Sequence, residues 1–357
     1  MEIIFFVSER LSGRGGMENA ISTITTTMIK KGRKCRVILS SPSEDPRWEK
    51  KLPITHLFDQ YPKFSTYEKK TTITSSKLLD RVQYLKNPFT LIALSAFSLN
   101  IVNETRKNYI NLKGNKFHII SWLHFSMHRE KFKDFLNFAD CHLCISSGIY
   151  NQLKVLTPSK PSFIVYNPVD IKQEFVPRNY NKTQFLFIGR LDNEQKRLDR
   201  LFSSLSKVKG NWSLKIIGNG QDKNYLEALA DELNISENLV WEGWSRNPWD
   251  HVDNATILIL PSDYEGFGLV IVEALARGIP VIASDCLTGP SDIIEENVNG
   301  WLFHPSDNTR LTDLLNLIVK GKINLPDPIS CVESVGKFEV NTTVNRYLTA
   351  IDSILNH

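Results

Sequence analysis

The chain has 357 residues and a mass of 40.8 kDa, about twice the length of a typical domain, so two domains are expected. With 41% hydrophobic and 23% charged residues it reads as a soluble globular protein, which excludes disorder, collagen and disulfide scaffolds. The net charge of +4 hides an asymmetry: residues 1–168 carry 25 Lys and Arg against 13 Asp and Glu, and the remainder 18 against 26.

The longest nearly apolar run, Phe89 to Val102, is 14 residues long and is broken by Thr90, Ser95, Ser98 and Asn100. A spanning helix needs roughly 20. At the N-terminus a short apolar stretch, Ile3 to Val7, lies between Glu2 and Glu9 without a basic leader, so the protein is expected to stay in the cytoplasm. Five cysteines, Cys35, Cys141, Cys144, Cys286 and Cys331, are too few and too odd in number for a disulfide framework. Cys141 and Cys144 form a Cys-x-x-Cys inside DCHLCIS, which reads as a buried strand. No second pair completes a zinc site.

Taken in chain order, Glu2 to Ser8 reads as a strand, Met17 to Lys31 as a helix with Ile21, Ile24 and Met28 on one face, and Cys35 to Ser40 as a strand. His118 to Trp122, Cys141 to Ser146 and Phe163 to Asn167 continue the sheet. Pro168 and Pro177 bracket a polar connector, where a hinge is expected. The count restarts with strands at Phe185 to Ile188, Ser213 to Ile217, Leu239 to Trp241, Ile257 to Leu260 and Val281 to Ala283. Alternating apolar strands and amphipathic helices predict two doubly wound parallel α/β domains, 1–168 and 169–340. The amphipathic stretch 341–357 is expected to form a helix packing back on the first domain.

Ligands of such sheets bind at the carboxyl ends of strands, so the strand-to-helix turns matter most. After the first strand, SGRGGME (Ser12 to Glu18) places Gly15 and Gly16 before a helix N-terminus, where free amides and a partial positive charge attract anions. After Phe185 to Ile188 come Gly189, Arg190 and Leu191, then Lys196 and Arg197. Two cations at a strand end suit a diphosphate. The sharpest signal is LPSDYEGFGLVIVE, Leu260 to Glu273. Its Gly266, Phe267 and Gly268 form a turn at a helix start whose amides can hold phosphate oxygens. Glu273, about two turns further on, can accept hydrogen bonds from vicinal ribose hydroxyls, and Glu265 can reach a sugar hydroxyl.

The Gly189 to Lys196 stretch, the Glu265 to Glu273 segment and the following ALARGIPVIASD (Ala274 to Asp285) resemble the nucleotide-sugar site of glycosyltransferase family 4, which has the GT-B fold of two Rossmann-like domains facing a cleft. More narrowly, SGRGGME, SWLHFS (Ser121 to Ser126), ADCHLCISSGI (Ala139 to Ile149), YNPV (Tyr166 to Val169) and SDCLTGPSDI (Ser284 to Ile293) resemble the lipopolysaccharide core 1,6-galactosyltransferases. The motifs span almost the whole chain. One departure is the six-step interval from Arg190 to Lys196, where many members have five, which leaves open whether Lys196 or Arg197 reaches the diphosphate.

The resemblance implies that Arg190 and Lys196 bind and stabilise the departing diphosphate, with the amides of Phe267, Gly268 and Leu269 adding to that. Glu273 would hold the ribose and Glu265 the donor sugar. Gly16 would border phosphate and acceptor, and His124 would line the reacting centre. It further implies transfer with retained configuration, through same-face attack in which the leaving phosphate takes the acceptor's proton. Without an Asp-x-Asp, no metal or cofactor is expected, and the charge work falls to the basic cluster.

The expected function is hexosyl transfer from a UDP-sugar, galactose favoured and glucose or GlcNAc open, to a cell-envelope glycan such as lipopolysaccharide core. Teichoic acid, capsule or exopolysaccharide are the alternative acceptors. UDP is favoured over GDP. A non-catalytic GT-B partner subunit of a glycosyltransferase complex is the reading from another class, disfavoured because a scaffold has no need of Arg190, Lys196, Glu265 and Glu273 together. An epimerase of the same fold would need acid and base carboxylates that are not identified. The basic first half is expected to meet an anionic partner, either a lipid-linked acceptor or the inner face of the cell membrane, and no nucleic acid.

Overall fold

The structure is a computed structural model that describes residues 1–86, 88–171, 174–178 and 182–355. Within the expected hinge, Lys172 and Gln173 lie outside the described residues. The chain divides into two compact units, residues 1–168 with 340–357, and residues 169–339.

Unit 1 contains strands β1 (Glu2–Val7), β2 (Lys34–Leu39), β3 (Ile54–His56), β4 (Phe89–Ala93), β5 (His118–Leu123), β6 (Cys141–Cys144) and β7 (Ser162–Ile164). They form one sheet in the order β3-β2-β1-β4-β5-β6-β7, parallel throughout. Helices α1 (Gly16–Lys30), α2 (Tyr67–Val82), α3 (Ala96–Lys113) and α4 (Ser147–Leu156) cross between strands. Helices cover both faces of such a sheet, so its inner strands are near-continuous apolar runs. Every residue of β1 and β4 is buried.

Unit 2 has strands β8 (Thr183–Ile188), β9 (Trp212–Ile217), β10 (Leu239–Gly243), β11 (Ile257–Leu260), β12 (Val281–Ser284) and β13 (Gly300–Phe303), in the order β10-β9-β8-β11-β12-β13. Its pairs are also parallel. Helices α5 (Asn193–Lys196), α6 (Leu198–Leu205), α7 (Lys223–Glu232), α8 (Leu269–Leu275), α9 (Asn308–Val319) and α10 (Pro328–Ser334) belong to it. Both units are Rossmann-like.

The last helix, α11 (Val340–Leu355), belongs to unit 1 and packs against α1. Val344, Tyr347 and Ile351 form its fully buried stripe, the spacing of one helix face. Burying each such side chain contributes about 1.5–3 kcal/mol. Tyr347 also donates its hydroxyl to the Tyr166 carbonyl at 2.7 Å and meets the Trp122 ring edge-on.

Three strands lie outside the sequence expectation. β4 and α3 share the apolar run from Phe89, and the break between them is Ser95, whose hydroxyl caps α3 by accepting from Ser98 N–H at 2.9 Å. β3 and β13 are short and carry no alternation. The Cys-x-x-Cys is structural: in an extended strand, positions three apart point to opposite faces, and both thiols of β6 are buried and free. Burial pushes the Cys144 thiol up to about 12 and the Cys141 thiol further still.

Candidate active site

Each sheet has one topological switch point, where successive strands depart in opposite directions and the loops at their carboxyl ends part to leave a crevice. In unit 2 it lies between β8 and β11. The loops after these two strands carry the residues singled out in the sequence.

After β8 the backbone stays tied to its neighbour. Gly189 N–H donates to the Ile217 carbonyl and Leu191 N–H to that of Asn219, both at 3.0 Å. This close approach requires glycine opposite: a Cβ on Gly218, at φ +155°, would stand 1.8 Å from the Gly189 carbonyl oxygen. Arg190 is thereby held exposed at the mouth of β8. The chain then turns into α5, capped by Asp192, and Lys196 closes it.

The Lys196 ammonium lies 2.6 Å from Glu265 Oε1, and both side chains are largely buried. Arg197 takes a different course. Its backbone is left-handed, at φ +51°, and its guanidinium binds Asp199 through two nitrogens, at 2.9 and 3.0 Å, and Asp263 at 2.7 Å. Arg200 clamps the other oxygen of Asp263 at 2.6 Å and the Pro261 carbonyl at 2.8 Å. Arg197 and Arg200 are thus consumed in bracing the loop after β11. Lys196 is the cation directed at Glu265.

That loop is braced from other sides as well. Asp263 N–H donates to the Gln195 carbonyl at 2.9 Å, and the Gln195 amide donates to the Tyr264 carbonyl at 3.1 Å. Thr288 donates its hydroxyl to the Glu265 carbonyl, and Ser284 donates to that of Ser262. Gly289, at φ +100°, passes so close that a Cβ would meet the Phe267 carbonyl oxygen at 2.4 Å. Phe267 itself packs inward, edge-on to Phe338 at 5.2 Å. Its ring is core, so a ligand role is confined to its backbone. Gly268 adopts the left-handed N-cap of α8 at φ +91°, and Leu269 opens the helix.

Since α8 begins at Leu269, Glu273 sits about one turn in, not two. Its Oε2 accepts the indole N–H of Trp249 at 3.1 Å. Burial pushes the Glu273 carboxyl above its usual range, while the Trp249 N–H and the Arg277 charge pull it down. The Arg277 guanidinium covers the Trp249 ring at 4.2 Å and donates to the Glu273 carbonyl. Trp249 was not singled out in the sequence. No local pattern links it to a carboxylate 24 residues away.

In unit 1 the SGRGGME loop follows β1. The glycine its backbone demands is Gly13, at φ +77°, where a Cβ would lie 2.0 Å from the Asp45 carbonyl oxygen. Gly15 is the extended N-cap of α1 and Gly16 its first residue. Glu18 folds back from α1 so that Oε1 accepts from Gly13 N–H at 2.7 Å and Ser12 Oγ at 3.2 Å. This buried carboxylate fixes the loop.

His124 leaves β5 directly, 8% exposed, edge-on to Trp122 at 4.3 Å between centroids. Desolvation lowers its imidazole to about 3, so it is neutral at ordinary pH. Its Nε2 has no hydrogen-bond partner among the described residues. His142, fully buried, is satisfied on both nitrogens by Ser121 at 2.6 Å and Thr157 at 2.9 Å. The contrast separates a packed histidine from one with a polar atom to spare.

Two parallel-sheet Rossmann-like units of this kind define the GT-B fold. The family model for glycosyl transferases group 1 matches residues 169–330. Over 332 residues, 90% of this chain and 90% of the relative, the sequence is 34% identical to lipopolysaccharide 1,6-galactosyltransferase of Salmonella typhimurium. The enzyme of that name from Escherichia coli is 32% identical over the same shares. Among solved structures, lipopolysaccharide outer core galactosyltransferase WaaB in its apo form superposes with a TM-score of 0.88 at 31% identity, covering 99% of both chains. HepE of Anabaena, solved with UDP, shares the fold at a TM-score of 0.78 and 16% identity, over 99% of this chain and all of its own. The chain belongs to the group 1 glycosyl transferases, and it is a glycosyltransferase.

Proposed function

We propose that this enzyme transfers galactose from UDP-galactose to a glucose-containing lipopolysaccharide core, through a 1,6-linkage and with retention, as a family 4 glycosyltransferase. The observation that carries the substrate reading is the similarity to the 1,6-galactosyltransferases over 90% of both chains. The family model covers only residues 169–330, all within unit 2, whereas the near-full-length similarity also takes in unit 1, the expected acceptor side.

In this reading Arg190 and Lys196 bind the diphosphate, together with the amides of Phe267, Gly268 and Leu269. Glu273 accepts the ribose hydroxyls through Oε1, since Oε2 is engaged by Trp249. Glu265 receives a hydroxyl of the donor sugar while orienting Lys196. As the bond from the anomeric carbon to the phosphate oxygen breaks, the acceptor oxygen attacks the same face and its proton passes to the departing phosphate. Negative charge grows on the diphosphate, where fixed cations stabilise the transition state more than the ground state. No metal is required for this charge work. Neutral His124 offers an uncharged polar atom to the sugar at the reacting centre, and Gly16 borders it from the loop after β1. The basic unit 1 draws the enzyme to anionic, lipid-linked acceptor at the inner face of the membrane.

A panel of UDP and GDP sugars, tested for hydrolysis without acceptor, tests the donor half. UDP-galactose should be cleaved fastest. Preference for a GDP-sugar, or cleavage of none, contradicts the reading.

A further inference from the structure

We propose that Glu9 binds a hydroxyl of the acceptor sugar and helps to set which sugar is accepted. The assignment rests on the transfer reading above and names a residue of unit 1 that the sequence motifs did not bring out.

The switch point of the unit 1 sheet lies between β1 and β4. Glu9 stands two residues beyond β1 and Ser95 two beyond β4, so both line the place where such a sheet takes a ligand. The Glu9 carboxylate is held there by hydroxyls. Oε1 accepts from Ser8 at 2.9 Å and from Ser95 at 2.6 Å. Ser98 stands 2.8 Å from the Ser8 oxygen and 3.3 Å from Glu9 Oε2.

A hydroxyl has one proton to give. With Ser8 and Ser95 committed to Oε1, the Ser98 proton goes to the closer Ser8 oxygen. Oε2 is then left with acceptor capacity, on a carboxylate that Ser8 and Ser95 hold through Oε1. Ser98 and Ser95 are themselves held, because Ser8 N–H donates to Ser98 Oγ at 3.1 Å and Ser98 N–H to Ser95 Oγ at 2.9 Å.

The kind of ligand follows from what is missing around it. Among the described residues no Lys, Arg or His lies within ion-pair distance of Glu9, although unit 1 is strongly basic. A half-buried carboxylate clasped by neutral hydroxyls, with acceptor capacity to spare on Oε2, suits a neutral polyol that donates O–H. It repels phosphate. A second polar group lies at the same end of the sheet: His124 directly follows β5, the strand beside β4, and its buried Nε2 has no partner among the described residues. Carboxylate and neutral imidazole thus both follow carboxyl ends of the same sheet, after β1 and β5, the two strands that flank β4.

Glu9→Gln keeps the shape and an oxygen for the serines but exchanges the Oε2 acceptor for an amide donor. With UDP-galactose and a core oligosaccharide ending in glucose, Glu9→Gln should raise the KM for the oligosaccharide about ten- to a hundredfold, the loss of one hydrogen bond to a charged group. UDP affinity, acceptor-free hydrolysis of UDP-galactose and the melting temperature should stay near those of the unsubstituted enzyme. Glu9→Ala should behave alike. Transfer by the unsubstituted enzyme with unchanged acceptor KM in both variants overturns this assignment alone. So does a rise in acceptor KM matched by equal loss of UDP affinity or by early melting. Absence of transfer by the unsubstituted enzyme overturns the functional reading as well.

Discussion

The ammonium of Lys196 lies 2.6 Å from the Glu265 carboxylate, and both side chains are largely buried. Removing one partner of a buried ion pair leaves the other uncompensated, at a cost of about 3–5 kcal/mol. Lys196→Ala therefore leaves the Glu265 carboxylate without its cation and, in the proposed role of Lys196, also takes a positive charge from the diphosphate. UDP affinity should fall, and turnover should fall about a hundred- to a thousandfold, by analogy with a single oxyanion donor. In Lys196→Ala/Glu265→Gln, calorimetry should find UDP affinity regained and kinetics should find turnover still low. Strictly additive losses would show that the two groups do not act as a pair.

Trp249 anchors Glu273 through one oxygen and keeps its own ring beneath Arg277. Trp249→Phe retains an aromatic face for Arg277 and deletes the N–H. A hydrogen bond to a charged group contributes about 1.5–3 kcal/mol. With Glu273 in its proposed role at the ribose, the KM for UDP-galactose should rise about tenfold or more with little change in kcat, because such binding is shared by ground and transition states. Initial rates at varied donor concentration check this. An unchanged KM would mean that Glu273 needs no such anchor.

These two sites show what a sequence displays and what it hides. Arg190, Lys196, Glu265 and Glu273 stand out because strand-end loops join them to apolar runs, β8 and β11, that a covered parallel sheet makes conspicuous. The different courses of Lys196 and Arg197 were not legible: they turn on a left-handed backbone at Arg197, whose guanidinium pairs with Asp199 and Asp263. Trp249 and Glu9 act across contacts that only the folded chain creates. β4 was hidden because strand and helix share one apolar composition, and Ser95, which caps α3, looks no different in sequence from Thr90, Ser98 and Asn100.

Burial depresses His124 to about 3 and His142 to about 4 from an ordinary 6.5. The unfolded chain binds these protons first, so stability is complete above pH 6.5 and declines as pH falls toward 4. The loss is about 1.4 kcal/mol per pH unit for each imidazole. Asp45 and Asp199, lowered by arginine partners, act only below their ordinary range near 3.8. Between pH 6.5 and 4 the downward slope thus belongs to the histidines, and the buried Glu273 carboxyl, raised above its usual range, opposes it by taking its proton first in the folded state. The melting temperature should drop across that window, and His124→Gln should flatten the drop. An unaltered slope in the variant would place the protons elsewhere.

Arg33 and Arg36 are spent on Asp352 and Glu2, which weakens the basic cluster at the end of α1 as a docking surface. Lys69 and Lys70 lie instead beside exposed Tyr67, with the Lys70 ammonium over the Phe97 ring at 4.7 Å. Basic and aromatic side chains together suit an anionic interface. Sedimentation with anionic vesicles should exceed that with neutral ones and weaken with salt, because the Debye length is only about 8 Å at physiological ionic strength. Lys69→Glu/Lys70→Glu should reduce it more than Lys30→Glu/Lys31→Glu. Equal binding to both vesicle types, or none, would reduce the charge of unit 1 to a solubility feature.

In the proposed function, fixed protein cations, without metal, drive retaining galactosyl transfer to a core glucose. The direct measurement is proton NMR of the product formed from UDP-galactose and a glucose-terminated core oligosaccharide in EDTA. The account predicts an α-linked galactose on O6, formed at the same rate when manganese is supplied and lost in Lys196→Ala. A β-linked product, or transfer that appears only with manganese, would contradict it.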